Sequence, residues 1–226
     1  MKHQKVLLTF LFISSAMILP AQKTTVGFSA AANLTFWTWK TTVFGSIPFD
    51  PGINYRLAVP VRYQFLPKVA LQGELAVNRR SSRSTLTLTD GNGNDTGETI
   101  GTQTYRNFEG SLLALFQPLN KWKNLYFLGG TSVGYVDKGW LLATKKQQEV
   151  LGLDRRVDLS EILNPPFQRV QWTLDTGVGY SQTLKNSNRL FVEIRNQWNI
   201  NDYIENGLVK ARFSTLMLNM GYLVGL

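Results

Sequence analysis

The stretch Gly52-Ile53-Asn54-Tyr55-Arg56-Leu57-Ala58-Val59-Pro60-Val61-Arg62-Tyr63-Gln64-Phe65 decides the fold. Ile53, Tyr55, Leu57, Val59, Val61, Tyr63 and Phe65 take every second position, and Asn54, Arg56, Arg62 and Gln64 lie among the residues between them. Successive side chains of a strand point to opposite faces, so this segment has one apolar face and one charged face. Alternation over this length is the mark of a strand rather than a helix. It leaves open which face is outside. A soluble barrel points its apolar face inward, whereas a membrane barrel points it at lipid.

Working outward, seven further segments alternate in the same way. They are Thr25 to Phe36, Val69 to Arg80, Tyr105 to Phe116, Leu125 to Asp137, Phe167 to Leu184, Arg189 to Trp198, and a last strand carrying Leu216, Leu218, Met220, Tyr222 and Val224. Pro60 cannot donate to a ladder, so a bulge or a lost bond is expected there. Gly129, Gly130 and Gly134 weaken the Leu125 segment unless something approaches closely or the sheet bends. The polar stretch Ser81 to Thr104 reads as a hairpin continuing past the core, with Asp90-Gly91-Asn92-Gly93 at its tip.

The start of the chain, MKHQKVLLTFLFISSAMILPAQ, has the charges Lys2 and Lys5, an apolar run Val6 to Leu19, and the small residue Ala21 before a cut. Residues 1–21 are therefore expected to be a signal peptide and 22–226 one domain. The run is shorter than the roughly 20 residues a spanning helix needs. The chain has no cysteine, so an exported protein of this size is held by its core or by closure of its sheet. The charged fraction is 17%, against about a quarter in ordinary soluble domains.

Three features turn the apolar face toward lipid. Connections alternate between long and short along the chain, as in outer-membrane barrels. The other face carries Arg56, Arg62, Arg80 and Arg195 beside Glu74, Glu109, Asp175 and Glu193. A small barrel is filled by its side chains, and buried charges persist when paired. Trp37, Trp122, Tyr135, Trp198 and Tyr222 gather near strand ends, where interfacial girdles form. The expected fold is all-β: a single antiparallel up-and-down transmembrane barrel of about eight strands, with a filled lumen. The alternatives are a soluble periplasmic barrel carrying an apolar ligand, and a narrow channel for small solutes.

The phrases LYFLGGTSVGY, WTLDTGVGYS and LFVEIRNQW resemble the small outer-membrane β-barrel proteins of Bacteroidetes, a group that includes PorT-like proteins. The resemblance implies an outer-membrane location and, for a PorT-like member, partners in a secretion system. Barrels of this kind commonly end in an aromatic residue; here Tyr222 precedes the final Leu223-Val224-Gly225-Leu226.

His3 is the one histidine, and it lies in the expected signal peptide. The remainder has no Ser-His-Asp or Cys-His nucleophile system and no His- or Cys-based zinc site. No catalytic residue, metal or cofactor is expected. Asp90 to Asp95 begins like a calcium loop, but position six is Asp95 and position twelve is Gly101, so a turn is the better reading. The net charge is +9, or about +7 without Lys2 and Lys5. For an exported chain this suits outer-membrane glycolipid phosphates rather than nucleic acid. The connection Lys138 to Pro166 carries Trp140, Leu141, Leu142, Lys145, Lys146, Arg155 and Arg156, the candidate loop contact surface toward such lipids or an envelope protein.

Overall fold

In the computed structural model the described residues are 24–226 except 42–44, 48, 90–94, 119–121, 123, 146–147, 150–153, 159–167, 185–186, 203 and 206–208. The signal-peptide expectation, the hairpin tip with its calcium-like start, and Lys146 lie outside them.

Eight long strands make the wall: β1 (Thr24–Thr41), β3 (Asp50–Leu66), β4 (Val69–Thr89), β5 (Asp95–Phe116), β6 (Leu125–Leu142), β8 (Val170–Thr183), β9 (Arg189–Asn199) and β11 (Val209–Gly225). Three short strands, β2 (Gly45–Ile47), β7 (Arg156–Asp158) and β10 (Ile204–Glu205), sit in the long connections. Every neighbouring pair is antiparallel, and β1 pairs with β11 from Thr25↔Gly225 to Thr41↔Val209, which closes the barrel. Closure leaves no edge among the long strands, as a lipid-embedded sheet requires.

The stagger follows from the register. A path of paired residues runs Thr25, Arg62, Gln72, Leu113, Gly130, Asp175, Gln197, Thr215 and back to β1 at Thr35. One circuit thus climbs ten residues along β1, a shear of ten for eight strands. With ordinary strand spacing and rise, this sets a tilt of about 40°. The short connections Pro67-Lys68, 117–124 and 184–188 share one end with Thr24 and Leu226, while the long ones share the other. That asymmetry places the termini and short turns in the periplasm. In the last of these turns Ser187 adopts a left-handed φ of 61°.

The faces are inverted relative to a water-soluble protein. Ile53 (78% exposed), Leu75 (73%) and Leu112 (63%) point outward, whereas Arg56, Arg80 and Arg195 are among the most buried side chains. A soluble ligand carrier would show the reverse, so that alternative is set aside. The expected all-β transmembrane barrel of eight strands is the fold observed.

Pro60 is accommodated by lost pairing without a bulge. β1 and β3 pair at Val26↔Val61 and again at Ser29↔Ala58 in the same register, with no pair between. On its other side Pro60 stays in register with Glu74. Gly130 is explained by close approach: a Cβ there would lie 2.1 Å from the Leu112 carbonyl oxygen of β5. At Gly134 the missing side chain makes room for Glu109, whose Cγ would be 3.3 Å from a Cβ.

Two sequence expectations are corrected. Trp37 is not in a girdle: it is 5% exposed inside the barrel, because it shares the inward parity of Asn33 and Thr35. The connection after Asp137 is not all loop, since β6 continues through Trp140, Leu141 and Leu142. A register shift between Arg106 and Asn107 lets β6 stay paired with β5 as far as Leu142↔Thr102, and β7 folds back on its other side. Of the remaining expected girdle residues, Trp122, Tyr135, Trp198 and Tyr222 are all exposed.

Candidate functional site: a charged lumen and its two ends

Alternation on the wall strands delivers the charged side chains to one place. Arg56 and Arg62 come from β3, Glu74 and Arg80 from β4, Glu109 from β5, Asp175 from β8, and Glu193 and Arg195 from β9, all buried in the lumen. Seven of them form one alternating chain. Arg80 Nη2 donates to Glu109 Oε1 at 2.5 Å, and Arg56 joins Glu109 (3.5 Å) to Glu74 (2.8 Å). Arg195 grips Glu74 with both guanidinium ends at 2.8 and 2.6 Å and donates through Nε to Glu193 at 2.7 Å. Arg62 reaches Glu193 at 3.4 Å. Such forked charge-assisted bonds are strong and directional. Asp175 takes another arrangement, accepting hydrogen bonds from Ser132 at 2.6 Å and Thr173 at 3.4 Å.

Neutral polar groups complete the network, and the sequence reading had not singled them out as partners. Gln72 donates to Glu74 at 2.5 Å and accepts from Arg62 Nε at 2.6 Å. Asn78 donates to Glu109 at 3.0 Å, Asn219 to Glu193 at 2.9 Å, and the Tyr126 hydroxyl to Glu193 at 2.5 Å. All four share the inward parity of the charges, which was the available signal. A buried carboxylate needs its remaining lone pairs met as well as its countercharge.

Apolar clusters bound the network at either end. Toward the long connections, Trp37, Tyr105, Val136, Ala211 and Phe213 pack together, with Phe49 and Leu141 against them. The Trp37 ring lies 5.0 Å from Tyr105 and 5.4 Å from Phe213, and Arg80 stacks on Phe213 at 4.0 Å. Toward the short turns, Ala70, Leu113, Leu115, Tyr126 and Leu128 form the second cluster. Interior side chains of a barrel this small close the passage.

The candidate contact residues separate. Leu141 faces inward on the aromatic cluster, whereas Leu142, Lys145 and Arg155 are exposed. Two guanidiniums approach the face of Trp140, Arg156 at 4.4 Å and Arg79 at 5.7 Å from the ring centre. Beside it Arg79, Arg106 and Lys138 stand directly across from one another on β4, β5 and β6. Below them on the outward face of the same strands are the apolar residues Val77, Phe108 and Tyr135, and on β6 Trp140 and Leu142 continue beyond Lys138. Asp137 pairs with Arg106, and Arg169 donates to the Tyr135 hydroxyl at 3.3 Å.

A closed antiparallel barrel with an apolar belt and a charged, plugged interior defines an integral outer-membrane protein. The family model of the outer membrane protein beta-barrel domain matches residues 21–205, and the chain belongs to that family. It is an outer-membrane protein. Among solved structures it is similar to the outer membrane protein OprG from Pseudomonas aeruginosa, at 13% identity over 92% of this chain and 99% of that one, TM-score 0.46. It is also similar to Ail, the attachment invasion locus protein of Yersinia pestis, at 12% identity over 90% and 99%, TM-score 0.41. A third is the outer membrane protease OmpT from Escherichia coli, at 8% identity over 91% and 97%, TM-score 0.44. No curated protein matches the chain.

Proposed function

We propose that this protein is a non-enzymatic surface and scaffold protein that works from its long-connection end by binding glycolipid phosphates. The observation that carries the reading is the registered row Arg79, Arg106 and Lys138 at the upper border of the apolar belt. Like charges directly opposite in a sheet repel, and among the described residues this row has one carboxylate partner, Asp137 on Arg106. Outer-leaflet phosphates reach this level from outside and neutralise the row. Trp140, stacked under Arg156 and Arg79, supplies an apolar body with cations around it.

The non-enzymatic part is supported by what the lumen carboxylates do. Glu74 and Glu109 each hold two guanidiniums, so neither has a lone pair placed for general acid or base work. Beyond residues 1–21 the chain has neither histidine nor cysteine. The finer PorT-like reading, with secretion-system proteins as partners at the same end, is supported by the strand phrases quoted above.

The triple variant Arg79→Gln, Lys138→Gln, Arg156→Gln leaves the Arg106 pair intact. Its binding to lipopolysaccharide-containing vesicles is expected to fall at least tenfold at low salt. The wild type should lose a comparable amount as salt is raised, because exposed charges are screened. Equal binding by both proteins at low salt refutes the glycolipid reading.

A further inference from the structure

The periplasmic mouth holds a cation that the lumen network does not neutralise. Arg189, at the start of β9, has the inward parity of Phe191, Glu193 and Arg195 and is half-buried. It lies close enough to Arg62 for the two guanidiniums to repel. Glu193, on the same inward face of β9, is already taken. Its Oε1 accepts from Tyr126 and Arg62, and its Oε2 accepts from Arg195 and Asn219. Among the described residues no carboxylate pairs with Arg189, and its Nε is a buried donor without an acceptor.

These groups surround an open cavity of about 530 Å³ lined by Thr24, Thr25, Arg62, Gln64, Arg189 and Ser187, among others. That is the size of a small-molecule site. Arg62 is a fixed wall of it, held by Gln72 at 2.6 Å and stacked on Tyr126 (5.1 Å) and Phe191 (5.3 Å). The Thr24 hydroxyl is buried there with no partner. Lys68 lines the adjoining recess with Arg62 and Arg189, adding a third cation. A half-buried guanidinium without a countercharge is costly, and an anionic oxygen group in the cavity offsets that cost. Guanidinium forks suit carboxylate and phosphate geometry.

We infer that the periplasmic mouth is a binding site for a small anion, whose phosphate or carboxylate oxygens sit against Arg189 and Arg62 in this cavity. The cavity is entered from the barrel axis at the short-turn end, the side facing the periplasm. This site is independent of the glycolipid row at the other end, and either can fail without the other.

The test is calorimetric titration of inorganic pyrophosphate into the barrel in lipid nanodiscs at low ionic strength. Saturable binding is expected, weakened at least tenfold in Arg189→Gln. Thr183→Asp, which places a carboxylate across from Arg189 in register, should weaken it similarly, and it covers the case in which the arginine variant does not fold. Unboiled gel mobility reports folding of each variant. Running phosphatidylcholine and phosphatidylglycerol discs in parallel separates the sources. Equal affinity in both assigns the site to a free periplasmic anion. Weaker pyrophosphate binding in phosphatidylglycerol discs that still depends on Arg189 assigns it to a lipid headgroup. No saturable binding, or binding unchanged in folded variants, overturns the inference.

Discussion

Replacing Glu74 by glutamine is expected to destabilise the barrel by about 3–5 kcal/mol, the usual loss when one member of a buried ion pair is removed. Glu74 is the middle of the cross-lumen chain: Arg195 holds both of its oxygens, at 2.8 and 2.6 Å, and Arg56 holds one at 2.8 Å. A glutamine accepts through one oxygen only and carries no charge. Arg56 would be left with a 3.5 Å contact to Glu109, and Arg195 with Glu193, which Arg62 already shares. The double variant Glu74→Leu with Arg195→Met removes one charge of each sign. It should recover much of the loss, because apolar replacements of buried pairs are often close to neutral. Urea unfolding from phospholipid vesicles measures both. A loss under about 1 kcal/mol for Glu74→Gln, the range of exposed pairs, would contradict the arrangement.

The second large effect is on the outside of the wall. Leu75 is 73% exposed and sits between Leu71 and Arg79 on the outward side of β4, near mid-belt. Leu75→Arg is expected to lower stability in a bilayer by about 2–4 kcal/mol, the cost of an arginine at the midplane of a membrane barrel. The same change at Leu66, 52% exposed beside the Pro67-Lys68 turn, should cost about 0–1 kcal/mol, because the guanidinium reaches the interface there. On a water-facing surface both substitutions would stay within about 0.5 kcal/mol. Vesicle unfolding of the two variants distinguishes the cases, and equal small effects would remove lipid from the outer face.

How much of this was legible depended on the period of two. Where alternation was unbroken, as from Ile53 to Phe65, the two faces followed from the residues alone, and the paired charges on one face together with the connection lengths turned the other toward lipid. The lumen charges were readable as a set because every one keeps inward parity. Their pairing was not readable, because the alternating chain joins β3, β4, β5 and β9 through a shear that only the closed register defines. Trp37 misled because nearness to a strand end says nothing about which face a side chain takes. Leu141 misled because the shift beside Asn107 reset the parity of β6, and its apolar side chain met the aromatic cluster instead of solvent. In the run Leu112 to Phe116 no polar residue marks a face, so the inward side of Leu113 and Leu115 follows only from carrying the parity of Asn107, Glu109 and Ser111 forward, and their joining in the lower cluster needed the closed barrel. Arg189 became informative only when the structure showed that Glu193, on the same face of β9, was fully engaged.

The central claim is that the barrel is shut: seven linked charges cross it, and apolar clusters lie at both ends. Planar-bilayer recording of the purified, folded protein tests this most directly. The account predicts no discrete conductance steps above the bilayer leak in potassium chloride at either polarity. Regular single-channel steps from protein with unboiled, folded mobility would show that ions pass through the lumen, and would return the narrow-channel reading to first place.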